Sequence, residues 1–207
     1  MHDIQELIVH QLNTIDSIQL VVLIFGITEV LLAKANNILL YPAGIISATF
    51  ATYSLLDAHL FAESLLHFYY IVISIYGWWF WKAGRNKAPA EISYATKKEW
   101  GITLMISLGG WLVLYFVLVT VTPSTVPLWD ALISSTAWAG TWLLARRKIE
   151  NWIVLNISNA FAIPLLFYKD LPLFALLTVF LFVIACVGFF DWKRKFTNKK
   201  LAKNLAA

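Results

Sequence analysis

On the third of seven apolar stretches, Glu63, His67, Tyr70 and Ser74 stand at i, i+4, i+7 and i+11, a spacing that puts all four on one face of a helix. Trp152, Asn156 and Asn159 repeat i, i+4 and i+7 on the sixth stretch. On the fifth, Asp130, Ser134, Trp138 and Thr141 or Trp142 make a third such face. Stripes that alternate rings, amides and hydroxyls suit a flat heteroaromatic ligand, the rings stacking on its faces while the polar groups bond its edge. An ionised acid turned to lipid at mid-helix costs about 3 kcal/mol and an unpaired amide a kcal/mol or more, so the stripes are expected to look into a helix bundle or a wet cavity. Plainer roles exist for the same residues. Asn156 and Asn159 can simply link helices. Glu29, on the first stretch, either holds a cation or pairs with Lys34 or Arg146. His67 has no second His or Cys at ligand spacing, so no metal is expected. Cys186 is the single cysteine, which excludes an intrachain disulfide, and no cofactor is expected.

The apolar runs must position these faces. The chain has 207 residues, 60% of them hydrophobic and 14% charged, where a water-soluble domain carries about a quarter charged residues. An all-α integral membrane protein follows. Several of the ten Trp lie at the ends of apolar runs, as in an aromatic belt, and Trp78, Trp79 and Trp81 read as such an anchor. Spans of about 20 residues are predicted at Ser17 to Ala33, Ile38 to Leu56, Ala58 to Trp81, Trp100 to Val121, Leu128 to Ala145, Trp152 to Phe167 and Leu171 to Trp192. With seven spans, 15 of the 16 basic residues fall on one side and only Lys169 on the other, which places the N-terminus outside and the C-terminus in the cytoplasm. The net charge of +4 is thus segregated by topology, and nucleic acid is not an expected partner. Met1 to Asp16 carries acids but no Lys or Arg, so the first span is not a cleaved signal.

Residues 1–207 read as a single membrane domain. Leu31-Leu32-Ala33-Lys34 recurs as Leu143-Leu144-Ala145-Arg146, Leu60-Phe61-Ala62 as Leu173-Phe174-Ala175, and Gly77 with Trp81-Lys82 as Gly188 with Trp192-Lys193, at offsets of 111 to 113 residues. The expected organisation is a three-helix repeat (17–82), a linker helix (99–121), a second three-helix repeat (128–192) parallel to the first, and a basic cytoplasmic tail (193–207). No Lys lies between Leu171 and Asp191 for a retinal Schiff base, and no G-x-S-x-G, H-E-x-x-H or nucleotide-binding loop occurs. An enzyme is not expected. A passive or secondary transporter survives, with a non-transporting membrane receptor or scaffold as the competing class.

Three stretches are similar to a known family: Asn36-Asn37-Ile38-Leu39-Leu40-Tyr41-Pro42-Ala43-Gly44-Ile45-Ile46-Ser47, Tyr69-Tyr70-Ile71-Val72-Ile73-Ser74-Ile75-Tyr76-Gly77-Trp78, and Trp142-Leu143-Leu144-Ala145-Arg146-Arg147-Lys148-Ile149-Glu150-Asn151-Trp152. Pro164-Leu165 and Phe167-Tyr168-Lys169 continue the match. They resemble the Pnu vitamin transporters of bacterial cytoplasmic membranes. The resemblance implies a 3+1+3, SWEET-like fold, a homotrimer, and uptake of nicotinamide riboside by facilitated diffusion with trapping by intracellular phosphorylation. His67 stands where the family often has Gln, and Leu155 where a second Trp commonly follows Trp152, so a sibling cargo, thiamine, stays open. Trp138, Trp142 and Trp152 are expected to stack on the vitamin and Asn156, Asn159, His67, Tyr70 and Ser74 to hold its edge. Glu29 or Glu63 would suit its positive charge.

Overall fold

The computed structural model describes residues 2–57, 61–83, 90–122 and 124–205 and, within them, every side chain but those of residues 2–4, 61–63, 65–66 and 203. A helix absent from the sequence expectation comes first, α1 (His2–Thr14). Asp16 then starts α2 (Ser17–Ala35): its carboxylate accepts the Gln19 N–H at 2.6 Å, and the Gln19 side chain accepts the Asp16 N–H at 3.4 Å. Asn36 closes α2 in the left-handed region at φ 62°. α3 (Leu40–Asp57) and α4 (Phe61–Ala83) follow. Thr96 and Glu99 form a second capping box, opening α5 (Lys97–Leu104), which runs through a π turn (Met105–Gly109) into α6 (Gly110–Val121). α7 (Pro127–Ala145) has proline at its first position, and α8 (Asn151–Tyr168) and α9 (Pro172–Leu205) complete the order.

So far as its residues are described, each expected span overlaps a helix or a continuous helical rod. Among the described residues, four rods are long and apolar enough to cross a membrane by length and composition: Ser17–Ala35, Lys97–Val121, Asn151–Tyr168 and Pro172–Ala202. The stretch expected as a separate basic tail continues α9 as far as Leu205. α2 packs on α3 and α3 on α4, as α7 packs on α8 and α8 on α9; the two triplets meet where α4 touches α7 and α2 touches α9. Exchanging the triplets leaves this contact pattern unchanged. The α5–α6 rod lies against α7.

The correspondence extends to single atoms. Asn36 and Arg147 are 111 residues apart, joined by hydrogen bonds of 2.9 and 2.7 Å, and both hold positive φ. The same step relates two helix-to-helix bonds, Ser47 Oγ to Val22 O (2.9 Å) and Ser158 Oγ to Ile133 O (2.8 Å). It also relates two indoles that each reach across to the other triplet: Trp81 Nε1 donates to Leu144 O at 3.2 Å and Trp192 Nε1 to Ala33 O at 3.0 Å. Tyr41 meets Trp81 edge-on at 5.2 Å, and Trp152 meets Trp192 edge-on at 5.6 Å. In this register Ala33 matches Leu144, one residue out of step with the Leu-Leu-Ala repeat seen in the sequence, whose low complexity allows a slip. The Leu60-Phe61-Ala62 match lies outside the described side chains.

Gly77 and Gly188 are the floors under these rings. A Cβ on Gly77 would lie 2.4 Å from the Tyr41 ring, and one on Gly188 would lie 2.8 Å from the Trp152 ring. We predict that Gly77→Leu and Gly188→Leu each destabilise the detergent-solubilised protein by about 1–3 kcal/mol through overpacking. Gly101→Ala, with nothing within 4 Å, should be neutral or slightly stabilising. Thermal unfolding of the three variants checks the contrast, and equal melting temperatures would refute it.

Candidate functional site

Between the two triplets lies a cavity of about 310 Å³, at the small end of the range for ligand sites. Toward the Lys/Arg-rich end it is bounded by Ala33, Leu40, Tyr41, Leu144, Ala145 and Trp152. In the other direction it adjoins a wider space of about 750 Å³ with which it shares Val22, Glu29, Ser47 and His67, and which runs to Ile15, Gln19 and Leu173. The polar and aromatic lining comprises Glu29 from α2, Tyr41 and Ser47 from α3, His67, Tyr70 and Ser74 from α4, Thr141 from α7, and Trp152 and Asn159 from α8. His67 and Tyr70 meet edge-on at 5.8 Å. The Tyr41 hydroxyl and the Trp152 indole nitrogen are buried with no hydrogen-bond partner among the described residues. Polar atoms in that state are costly unless a partner is supplied.

Of the side chains expected at the site, the structure brings Glu29, His67, Tyr70, Ser74, Trp152 and Asn159 together. It does not bring three others. Trp138 packs on Tyr69 with ring centroids 4.7 Å apart, and its carbonyl accepts the Tyr69 hydroxyl at 3.0 Å. Trp142 lies 5.3 Å from the Arg146 guanidinium. Asn156 faces the α8–α9 seam, donating to Cys186 Sγ at 3.2 Å and accepting from Asn159 Nδ2 at 3.3 Å, so it positions Asn159 from behind. Helical spacing finds a face but not which of two flanking seams that face fills. The Glu63 side chain lies outside the described residues. Tyr41 was missed, although it stands one repeat step from Trp152 and a strict alignment of the halves would have found it.

Glu29 pairs with neither Lys34 nor Arg146. Arg146 instead donates to Glu99 Oε1 at 3.1 Å and to the Tyr76 hydroxyl at 2.9 Å, with its guanidinium 4.2 Å over the Phe80 ring. Lys148 Nζ lies 3.2 Å from Glu99 Oε2 and bonds Ser93 Oγ at 2.9 Å. Arg147 lies 4.1 Å over Trp81 and donates to Asn36 and to the Ala90 carbonyl. The Glu150 carboxylate accepts the Ala95 N–H at 2.9 Å. The Arg146–Glu150 stretch, read from sequence as a topology signal and as part of the family resemblance, thus clamps the 90–96 segment across the basic end. Lys169, the exception to the charge bias, is held by Asp130 at 2.7 Å. Among the described residues no group of three His, Cys, Asp or Glu could hold a metal ion.

A family profile described as "Nicotinamide mononucleotide transporter" matches residues 16–194. The chain is 23% identical over 195 residues to the nicotinamide riboside transporter PnuC of Escherichia coli (strain K12), a match that spans 82% of each chain, and equally to that of Shigella flexneri. A crystal structure of the vitamin B3 transporter PnuC superposes with a TM-score of 0.67 at 21% identity, covering 93% of this chain and 88% of that one.

Glu99 is buried between two cations, and removing one member of such a group leaves uncompensated charge. Glu99→Ala is expected to cost about 3 kcal/mol in unfolding experiments, whereas Glu91→Ala, which breaks a half-exposed pair with Lys199, should cost less than about 1 kcal/mol. Equal losses would refute the assignment of the first cluster as a structural clamp.

Proposed function

The chain belongs to the nicotinamide mononucleotide transporter family, and from that premise we propose that it carries nicotinamide riboside across the bacterial cytoplasmic membrane by facilitated diffusion. The observation that carries this reading is the composition of the cavity. Among the described residues aromatic rings, an amide, an imidazole, hydroxyls and the Glu29 carboxylate line it, and no lysine or arginine does. A pyridinium ring with a carboxamide and a ribose finds stacking surfaces and edge partners there. A phosphate monoester would find no lysine or arginine to pair with among the described residues, which favours the riboside over the mononucleotide. The names of the E. coli and Shigella flexneri relatives agree with this choice.

In this reading Trp152 and Tyr41 stack on the ligand, and Asn159, Tyr70, Ser74 and His67 bond its edge. The 3+1+3 organisation is supported by the contact pattern and by the paired bonds one repeat step apart. The charge bias supports an external N-terminus and a cytoplasmic C-terminus, so that the Arg146–Glu150 clamp closes the cavity on the inside. The homotrimer rests on the family resemblance. Net accumulation then comes from phosphorylation of the vitamin after release, and the protein itself catalyses no reaction.

Isothermal titration calorimetry of the purified protein against nicotinamide riboside and thiamine tests the cargo: binding of the riboside alone is expected, and binding of thiamine alone would overturn the reading. Asn159→Ala and Trp152→Ala should each lose at least about tenfold in affinity, about 1.4 kcal/mol, while Asn156→Ala should lose about threefold or less. In proteoliposomes the riboside should equilibrate without concentrating; accumulation driven by a sodium or proton gradient would refute facilitated diffusion.

A further inference from the structure

Glu29 contributes the carboxylate of the cavity from the middle of α2. The site it occupies is shaped for it. Its carboxyl group lies on Gly44 of α3, where a Cβ would come within 2.5 Å of Oε1 and 2.6 Å of Cδ. One repeat step on, the sizes are exchanged: Gly140 of α7 lies under Leu155 of α8, whose Cδ2 would be 2.7 Å from a Cβ at Gly140. The two halves therefore meet the cavity with unlike side chains at matched places, a carboxylate in the first and an isobutyl group in the second. No lysine or arginine among the described residues pairs with Glu29, while the buried Glu99 has two such partners. Glu29 lines this cavity together with Tyr41, Tyr70 and Trp152. An acid that shares a cavity with aromatic rings, and with which no lysine or arginine pairs among the described residues, has the chemistry of an organic-cation receptor, since the negative faces of the rings and the carboxylate attract the same charge.

Resting on the reading of the cavity as the riboside site, we propose that Glu29 determines specificity by reading the positive charge of the cargo. It binds the oxidised, cationic heteroaromatic ring, discriminates against a neutral ring of the same shape, and repels the phosphorylated product. The same carboxylate thereby opposes re-entry of the product from inside, because a phosphate monoester is an anion and meets a like charge.

The test is calorimetric titration of the wild-type protein, Glu29→Gln and Glu29→Asp with nicotinamide riboside, its uncharged 1,4-dihydro form, and nicotinamide mononucleotide. Wild type should bind the cation at least about tenfold tighter than the dihydro form and show no binding of the mononucleotide. Glu29→Gln is expected to lose at least about tenfold for the cation while holding the dihydro form within about threefold, so that the preference for charge collapses. Glu29→Asp should keep the preference. The proposal is overturned if Glu29→Gln binds the cation as wild type does, if it loses both ring forms equally while melting at the wild-type temperature, or if wild type does not prefer the cation. Wild-type binding of thiamine in place of the riboside, with the same loss in Glu29→Gln, would remove the cargo assignment and sustain the role of Glu29. Failure to bind either cation would remove both.

Discussion

Two indole N–H groups hold the halves of this protein in register, each donating to the last turn of a helix in the opposite triplet. A buried indole nitrogen requires an acceptor, and the Ala33 and Leu144 carbonyls, which already accept the Asn36 and Arg147 N–H groups, each have a second lone pair to offer. Because Trp81 and Trp192 are fixed this way, Tyr41 and Trp152, which meet them edge-on, are fixed in turn. The cavity therefore takes its end wall from the joint between the halves. A change in how the triplets meet must alter the wall as well, which couples relative motion of the halves to the shape offered to a ligand.

The outline of the fold was legible because charge is expensive in hydrocarbon: the basic residues mark every helix end on one side, and the spans lie between them. What sequence could not resolve was register. Leu and Ala repeat so often at the ends of α2 and α7 that a one-residue slip matches nearly as well, and the bonds from Trp81 and Trp192, with those of Ser47 and Ser158, select among the alternatives. The site was legible in part for a related reason. Periodicity correctly grouped His67 with Tyr70 and Ser74, and Trp152 with Asn159. It could not say that Trp138 would turn toward Tyr69, or that Asn156 would turn toward Cys186, since both depend on which neighbour lies alongside. Tyr41 belongs to no polar stripe and sits at the start of its helix, so only its twin in the other half identifies it.

Charge is distributed here with an economy that the topology alone does not require. Arg146 and Lys148 share Glu99, Arg147 reaches Asn36 and Ala90, and Lys169 is neutralised by Asp130. Arg147 through Ala90, Lys148 through Ser93 and Glu150 through Ala95 also fasten the 90–96 segment. They also leave the cavity without a lysine or arginine among the described residues.

The exchange of large and small side chains between Glu29–Gly44 and Gly140–Leu155 bears on how such a protein can change over evolutionary time. At each contact one helix supplies bulk and the other makes room for it. Enlarging either glycine alone drives a Cβ into an occupied site, and shrinking either bulky partner alone leaves a void. A lineage that moved from one class of cargo to another by redistributing bulk between these helices would pass through an intermediate that is strained or hollow. Drift at these four positions is thus constrained in pairs, and the unlikeness of the two halves is retained by packing itself.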